Sequence, residues 1–272
     1  MSLEDHIGDI CRKARLQTKT PIGELASLAG LSEVQLQELE AEGVVDADVD
    51  LEALALRIDL DVEKLKIIAD GWVPESIDLS QWNELRVLTT AERFEVNSFV
   101  AWDPETSSAA VFDTGWFADD LFGIAEENAL KVEHLFISHM HGDHVAAMGD
   151  VRGRWPEMRL HSGSISAPKE SQVKLDVAVD VGRLSVTARP TPGHAEDGVS
   201  YIIDGWGNGV PIVVVVGDAI FAGSMGKDFI TPELAQAKVR EEILSLPEDT
   251  LICPGHGPLT TVGEEKAHNP FF

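Results

Sequence analysis

The chain predicts an α+β protein in which a small all-helical domain, residues 1–73, precedes a larger strand-rich domain, residues 74–272. Two observations carry this. The first seventy or so residues show helical periodicity, regular capping signals and no strand pattern. Beyond Pro74, short apolar runs end repeatedly in glycine- or proline-marked turns. A length of 272 residues exceeds a typical single core, and a hydrophobic content of 44% is ample for folding.

In the first part, Leu3, Ile7, Ile10, Cys11 and Ala14 fall on one face of a first helix. Thr20-Pro21 opens a second, which Gly30 closes. Ser32 with Gln35 forms a capping box for a third, ending at Gly43. Asp50 and Asp61 are N-caps for two more, over 51–58 and 62–69, with Gly71 as the last stop. Gly71-Trp72-Val73-Pro74-Glu75-Ser76 is the linker, because Gly and Pro stop helices. Trp72 and Trp82 flank it; exposed indoles are costly, so one or both should pack across the junction.

In the second part, Val132–Ile137, Tyr201–Ile203, Ile212–Val216 and Leu251–Cys253 read as strands. Gly205-Trp206-Gly207-Asn208-Gly209 reads as a hairpin turn, not a phosphate loop, since no helix follows it.

Directly behind the first of these strands, Ser138-His139-Met140-His141-Gly142-Asp143-His144-Val145 packs three imidazoles and a carboxylate into six residues. The His-x-His alternation points two imidazoles to one side of an extended backbone, while Asp143 and His144 turn toward a neighbouring position. One loop can thus serve two metal ions. Thr191-Pro192-Gly193-His194, Val216-Gly217-Asp218 and Pro254-Gly255-His256-Gly257 each set a further ligand-type residue in a tight turn after a strand. Any one of these alone reads equally well as a core or surface histidine; with the His-x-His-x-Asp-His cluster they read as a metal site. Imidazole and carboxylate together suit zinc, iron or manganese.

From about residue 84 to 272 the chain resembles metallo-β-lactamase-fold hydrolases, carrying that superfamily's motifs in order. The segments Phe221-Ala222-Gly223-Ser224-Met225-Gly226 and Pro254-Gly255-His256-Gly257-Pro258 onward to Phe272 are similar to compact glyoxalase II-like (hydroxyacylglutathione hydrolase-like) enzymes. The resemblance implies a four-layer αββα sandwich, two mixed sheets facing each other between outer helices, with metals at one edge. It implies that His139, His141 and His194 hold a first metal and Asp143, His144 and His256 a second, with Asp218 bridging. Two divalent ions are expected, zinc first, with iron or manganese as alternatives. The implied activity is metal-dependent hydrolysis of a small thioester or related acyl substrate. The cations would lower the pKa of a bridging water and polarise the carbonyl. Asp143 and Asp218 are the expected catalytic carboxylates, Asp143 doubling as a proton shuttle. Two alternatives stay open: a persulfide dioxygenase with a single iron at His139, His194 and Asp218, and a metabolite-sensing regulator acting through the N-terminal helices.

Two further residues are expected to contact substrate. Lys227, in Gly226-Lys227-Asp228-Phe229, stands where related compact enzymes often carry a basic residue, its plain alternative being a solvated lysine. His161 ends a short strand that commonly faces the cleft in this fold, its plain alternative being a partly buried structural histidine. Sixteen residues follow His256 and Tyr201 is the single tyrosine, so the C-terminal glutathione platform of long glyoxalase II enzymes is not expected.

Gly23–Ser32 resembles the helix-turn-helix of Cro/repressor-type domains, and Leu39-Glu40-Ala41-Glu42-Gly43 that family's helix ending. The corresponding recognition helix, Ser32–Glu40, contains no lysine or arginine, and residues 1–73 hold 7 basic against 16 acidic side chains. Such a surface repels a phosphate backbone. Dimerisation of the chain, partner contact or covering of the active site is the expected role instead. A formal charge of −26 and a pI near 4.5 also argue against nucleic acid and anionic membranes as partners. No apolar stretch approaches the ~20 residues that span a bilayer, and Met1-Ser2-Leu3-Glu4-Asp5 lacks the basic start of a signal peptide. A cytoplasmic location follows as the expectation, with Cys11 and Cys253 as reduced apolar fillers.

Overall fold

The computed structural model describes residues 2–44, 49–207, 209–227 and 231–272. Met1, Asn208 of the expected hairpin turn, and Asp228 and Phe229 beside Lys227 lie outside the described residues. The helical part comprises α1 (Ile7–Gln17), α2 (Ile22–Leu28), α3 (Glu33–Glu42), α4 (Leu51–Arg57) and α5 (Val62–Ala69). Local chemistry sets three of the starts. Ser32 Oγ accepts from Gln35 N at 3.3 Å while Gln35 Oε1 accepts from Ser32 N at 3.0 Å. Asp50 Oδ1 accepts from Ala53 N at 2.9 Å and Asp61 Oδ1 from Lys64 N at 3.0 Å. Leu3 lies ahead of α1 rather than on it, because His6 is the cap and its Nδ1 accepts from Asp9 N.

The remaining chain forms two sheets. The first is built from β1 (Leu85–Ala91), β2 (Glu95–Trp102), β3 (Ser108–Phe112), β4 (Lys131–Ile137) and β5 (Arg159–Ser162), hydrogen-bonded in that order. Its first three strands are antiparallel; β3, β4 and β5 run parallel. Between them lie α6 (Asp119–Glu127), α7 (Gly142–Val145) and α8 (Met148–Arg154). The second sheet contains β6 (Ala178–Val181), β7 (Leu184–Pro190), β8 (Val199–Asp204), β9 (Val213–Gly217), β10 (Leu251–Pro254) and β11 (Thr260–Thr261), ordered β11-β10-β9-β8-β7-β6. Only β9 and β10 are parallel there, joined through α9 (Pro232–Glu242); α10 (Val262–His268) follows β11.

The alternation of strand side chains divides the core into layers. Phe99, Phe112 and Phe136 of the first sheet meet Tyr201, Val213 and Val215 of the second. Val111, Leu135 and Ile137 turn outward onto Leu121 of α6 and Val151 of α8. Val214 and Ile252 turn outward onto Val239 of α9 and Val262 of α10. The result is the mixed α+β sandwich with helices on both outer faces. Because both faces of β9 are covered, its sequence is a continuous apolar run.

The helical part packs against this sandwich through one shared core. Ile10, Leu25, Leu36, Leu54 and Leu65 cluster with Met225, Ala235 and Phe271. Asp61 N donates to Pro270 O at 2.9 Å and Lys64 Nζ to Lys266 O at 2.7 Å. Trp72 bridges the junction by stacking on His268, ring centroids 4.8 Å apart. Trp82 instead sits inside the sandwich, 2% exposed, its Nε1 donating to Pro211 O at 2.7 Å. Among the described residues no helix is long and apolar enough to cross a membrane.

Candidate metal centre

The ends of several strands deliver the ligand-type residues to one edge of the sandwich. His139 and His141 follow β4, and Asp143 and His144 lie on α7. His194 sits in the loop between β7 and β8, Asp218 directly after β9, and His256 two residues beyond β10. Ligand atoms of His139, His141 and His194 lie within 4.8 Å of one another, and so do those of Asp143, His144 and His256. His139, His144 and Asp218 form a third such set that joins the other two. Asp218 Oδ1 lies 3.3 Å from His144 Nε2, and Oδ2 lies 3.4 Å from His194 Nε2 and 3.5 Å from His256 Nε2. This crowding depends on Gly255: a Cβ there would stand 2.4 Å from Asp218 Oδ1 and 2.6 Å from His144 Cε1, inside contact distance.

The charge balance of the cluster suits cations. Burial and the neighbouring His144 push His139 down to about 2, and burial likewise lowers His194, so both rings are neutral and offer a lone pair. Burial would also lower His144 and His256, yet the carboxylates overcome it. Asp113 and Asp218 hold His144 at about 10, and Asp143 and Asp218 hold His256 at about 11. Burial would raise Asp218, but the neighbouring His144 and His256 rings hold it well below the usual carboxylate range. Carboxylate charge that retains protons on imidazoles is charge that a dication can neutralise in their place. Buried atoms without a hydrogen-bond partner point the same way: His139 Nε2, His144 Nε2, His194 Nδ1 and Asp218 Oδ1. The donor set of imidazole nitrogens and carboxylate oxygens therefore fits divalent zinc, iron or manganese.

Behind the ligands stand groups that sequence reading missed. Asp113, 1% exposed at the end of β3, accepts from Ser138 N at 2.7 Å, Ser138 Oγ at 2.6 Å and His144 Nδ1 at 2.8 Å. A carboxylate only accepts, so Nδ1 of His144 keeps its proton and Nε2 is the nitrogen that would give up its proton to a cation at the cluster. His256 Nδ1 donates to Glu95 O at 2.6 Å with the same consequence. The signal for Asp113 was present in Phe112-Asp113-Thr114-Gly115, an acid and a glycine closing a buried strand.

A cleft of about 360 Å³ opens over the cluster, with His141, Asp143, His194, Asp218 and His256 in its floor. Lys227 lines it. His161 does not: its Nε2 lies 3.0 Å from His134 Nδ1, and its ring stacks on Phe136 at 4.4 Å. The imidazole is thereby engaged within the first sheet. A larger cleft of about 540 Å³, beside His134 and Trp155, gathers no comparable set of ligand atoms among the described residues.

Two facing mixed sheets, outer helices, and a histidine and aspartate cluster at the strand ends define the class of metallo-β-lactamase folds. Residues 91–168 match the family model described as the Metallo-beta-lactamase superfamily, so the chain carries a domain of that superfamily. A probable metallo-hydrolase of Bacillus subtilis (strain 168) is 29% identical over 186 residues, covering 60% of this chain and 86% of that one. Hydroxyacylglutathione hydrolase GloC of Haemophilus influenzae is 28% identical over 204 residues, covering 66% and 93%. Among solved structures, ETHE1 from Myxococcus xanthus superposes with a TM-score of 0.60 at 28% identity, covering 68% of this chain and 83% of that one.

Proposed function

We propose that the protein is a binuclear metal-dependent hydrolase acting on a small thioester or related acyl compound. The observation that carries this reading is the pair of three-residue donor sets, His139/His141/His194 and Asp143/His144/His256, joined by Asp218 under one open cleft. Similarity to a hydroxyacylglutathione hydrolase over most of that enzyme's length supports a thioester within this class. Bound at the two sets, the cations would supply a hydroxide nucleophile near neutral pH and polarise the acyl carbonyl.

The chain's own residues do the remainder. Asp218, 8% exposed, stands within 3.5 Å of ring nitrogens from both donor sets, His194 of one and His144 and His256 of the other, and so ties the two together. Asp113 and the Glu95 carbonyl fix the tautomers of His144 and His256. Asp143 Oδ2, 3.2 Å from His256 Nε2 and partly open to the cleft, is the group to take a proton from the nucleophile and return it to the departing atom. A thiolate departs without needing that proton, which favours a thioester over an amide. We read the N-terminal helices as part of the enzyme and not as a DNA reader, because Ser32–Glu40 holds no cation to meet phosphate.

The test is thiol release from a panel of acyl thioesters by zinc-loaded and iron-loaded protein. Turnover that chelation abolishes and added metal restores is the expected outcome. Fully loaded protein that releases no thiol from any of them would contradict the substrate assignment.

A further inference from the structure

The cleft over the metal cluster is not formed by the sandwich alone. Glu4, Asp5 and Lys13, from the N-terminal helical part and outside the superfamily match, stand in its wall. Lys13 of α1 is 3% exposed. Its Nζ is ion-paired with Asp5, donates to Met225 O at 2.8 Å and lies 5.2 Å from the centre of the Phe221 ring. Asp5 in turn accepts from Ser224 Oγ at 2.6 Å. These contacts tie α1 and the segment just ahead of it to the loop that follows Asp218. That loop touches the metal cluster itself, since a Cβ on Gly226 would meet Asp218 O at 1.9 Å and His194 Cβ at 3.0 Å.

A groove of about 110 Å³ shares Lys13 and Lys227 with the cleft and is completed by Asp9, Arg12 and Leu16 of α1. With Lys13 already paired to Asp5, the groove's charges are Arg12 and Lys227 against Asp9, a net positive spot in a chain whose formal charge is −26. The carboxylate, Asp9, lies 3.3 Å from His6 Nε2. Arg12 and Lys227 are exposed and make no hydrogen bond or ion pair with any described residue. Free guanidinium and ammonium groups beside a buried lysine form a local positive field in an otherwise repulsive surface, and a guanidinium matches a carboxylate in a bidentate fork.

We propose that this groove is an anion subsite of the metal cleft, built jointly by α1 and the loop after β9, and that it holds a carboxylate on the part of the substrate remote from the scissile bond. The N-terminal helices thereby select substrate. The inference rests on the hydrolase reading for what is bound next to it, but its binding test does not.

The probes are a non-hydrolysable thioether acid, 3-(propylthio)propanoate, and its neutral isostere 3-(propylthio)propanamide, titrated calorimetrically into zinc-loaded full-length protein. The acid should bind about tenfold more tightly than the amide, the scale of one charge-assisted contact. In Arg12→Glu, an exposed substitution, the ratio should fall to about one while the affinity for the amide is unchanged; Arg12→Lys should restore part of it. Equal affinities in the parent protein, or a ratio that survives Arg12→Glu, would overturn the proposal; the second result is what carboxylate binding to the metals alone would give. If the acid preference and its loss in Arg12→Glu are observed but the matching propanoate thioester is not turned over, the subsite stands and the hydrolase reading falls.

Discussion

Asp113 illustrates how a single residue governs the centre without touching a metal. Its two oxygens accept from Ser138 and His144, and Ser138 Oγ lies 3.0 Å from His139 Nδ1, so one carboxylate orients ligands of both donor sets. Asp113→Asn should weaken metal affinity by about 10–100-fold, as loss of such an outer partner generally does, with the fold retained. Competition with a metal-indicating chelator measures it; unchanged affinity would show that the carboxylate is only packing. The seven ligand-type residues were legible in the sequence because each lies in a short motif behind an apolar strand. Asp113 carried a local signal but its role was not legible, since that is made by contacts to Ser138 and His144, 25 and 31 residues away. The surroundings of His161 were hidden for a related reason: the His134 ring beside it across β4 and β5 cannot be seen in a linear motif.

At the scale of elements, the helix starts were legible because capping is local: Ser32, Asp50 and Asp61 each act within three residues. What α10 does was not legible. Its Glu265 is 0% exposed and accepts from Gly223 N at 3.0 Å, Thr260 Oγ1 at 2.8 Å and Asn269 Nδ2 at 2.8 Å, pinning the loop that carries Ser224 and Met225 to the C-terminal helix. Burial raises its pKa to about 7 from the ordinary 4.5, the three donors lowering it only in part. The folded state thus holds this proton more tightly than the unfolded chain. Its stabilising contribution is complete below about pH 4.5 and is lost as pH rises through about 7, a change on the order of 3 kcal/mol. Glu265→Gln removes the titration, so denaturant unfolding from about pH 4.5 to about pH 7 should show a flatter stability profile than the parent. Equal slopes in the two proteins would refute the assignment.

For the whole molecule, the layered sandwich follows from strands covered on both faces, and the helical part is bound to it by one apolar cluster spanning Ile10 to Phe271. Composition and periodicity indicated both parts; they carried no information on which face of α1 meets which loop. That docking arises from contacts such as Lys13 to Met225, 212 residues apart. It turns an acidic helical segment into one wall of the cleft, where the sequence alone offered dimerisation, partner contact or cover. Each of the two donor sets joined by Asp218 is proposed to hold one divalent ion. Elemental analysis of protein purified without added metal tests this directly, with Asp218→Ala alongside. About two ions per chain, zinc or zinc with iron, are expected, falling to one or none in Asp218→Ala. One iron per chain in the parent, or two ions retained in Asp218→Ala, would contradict that assignment.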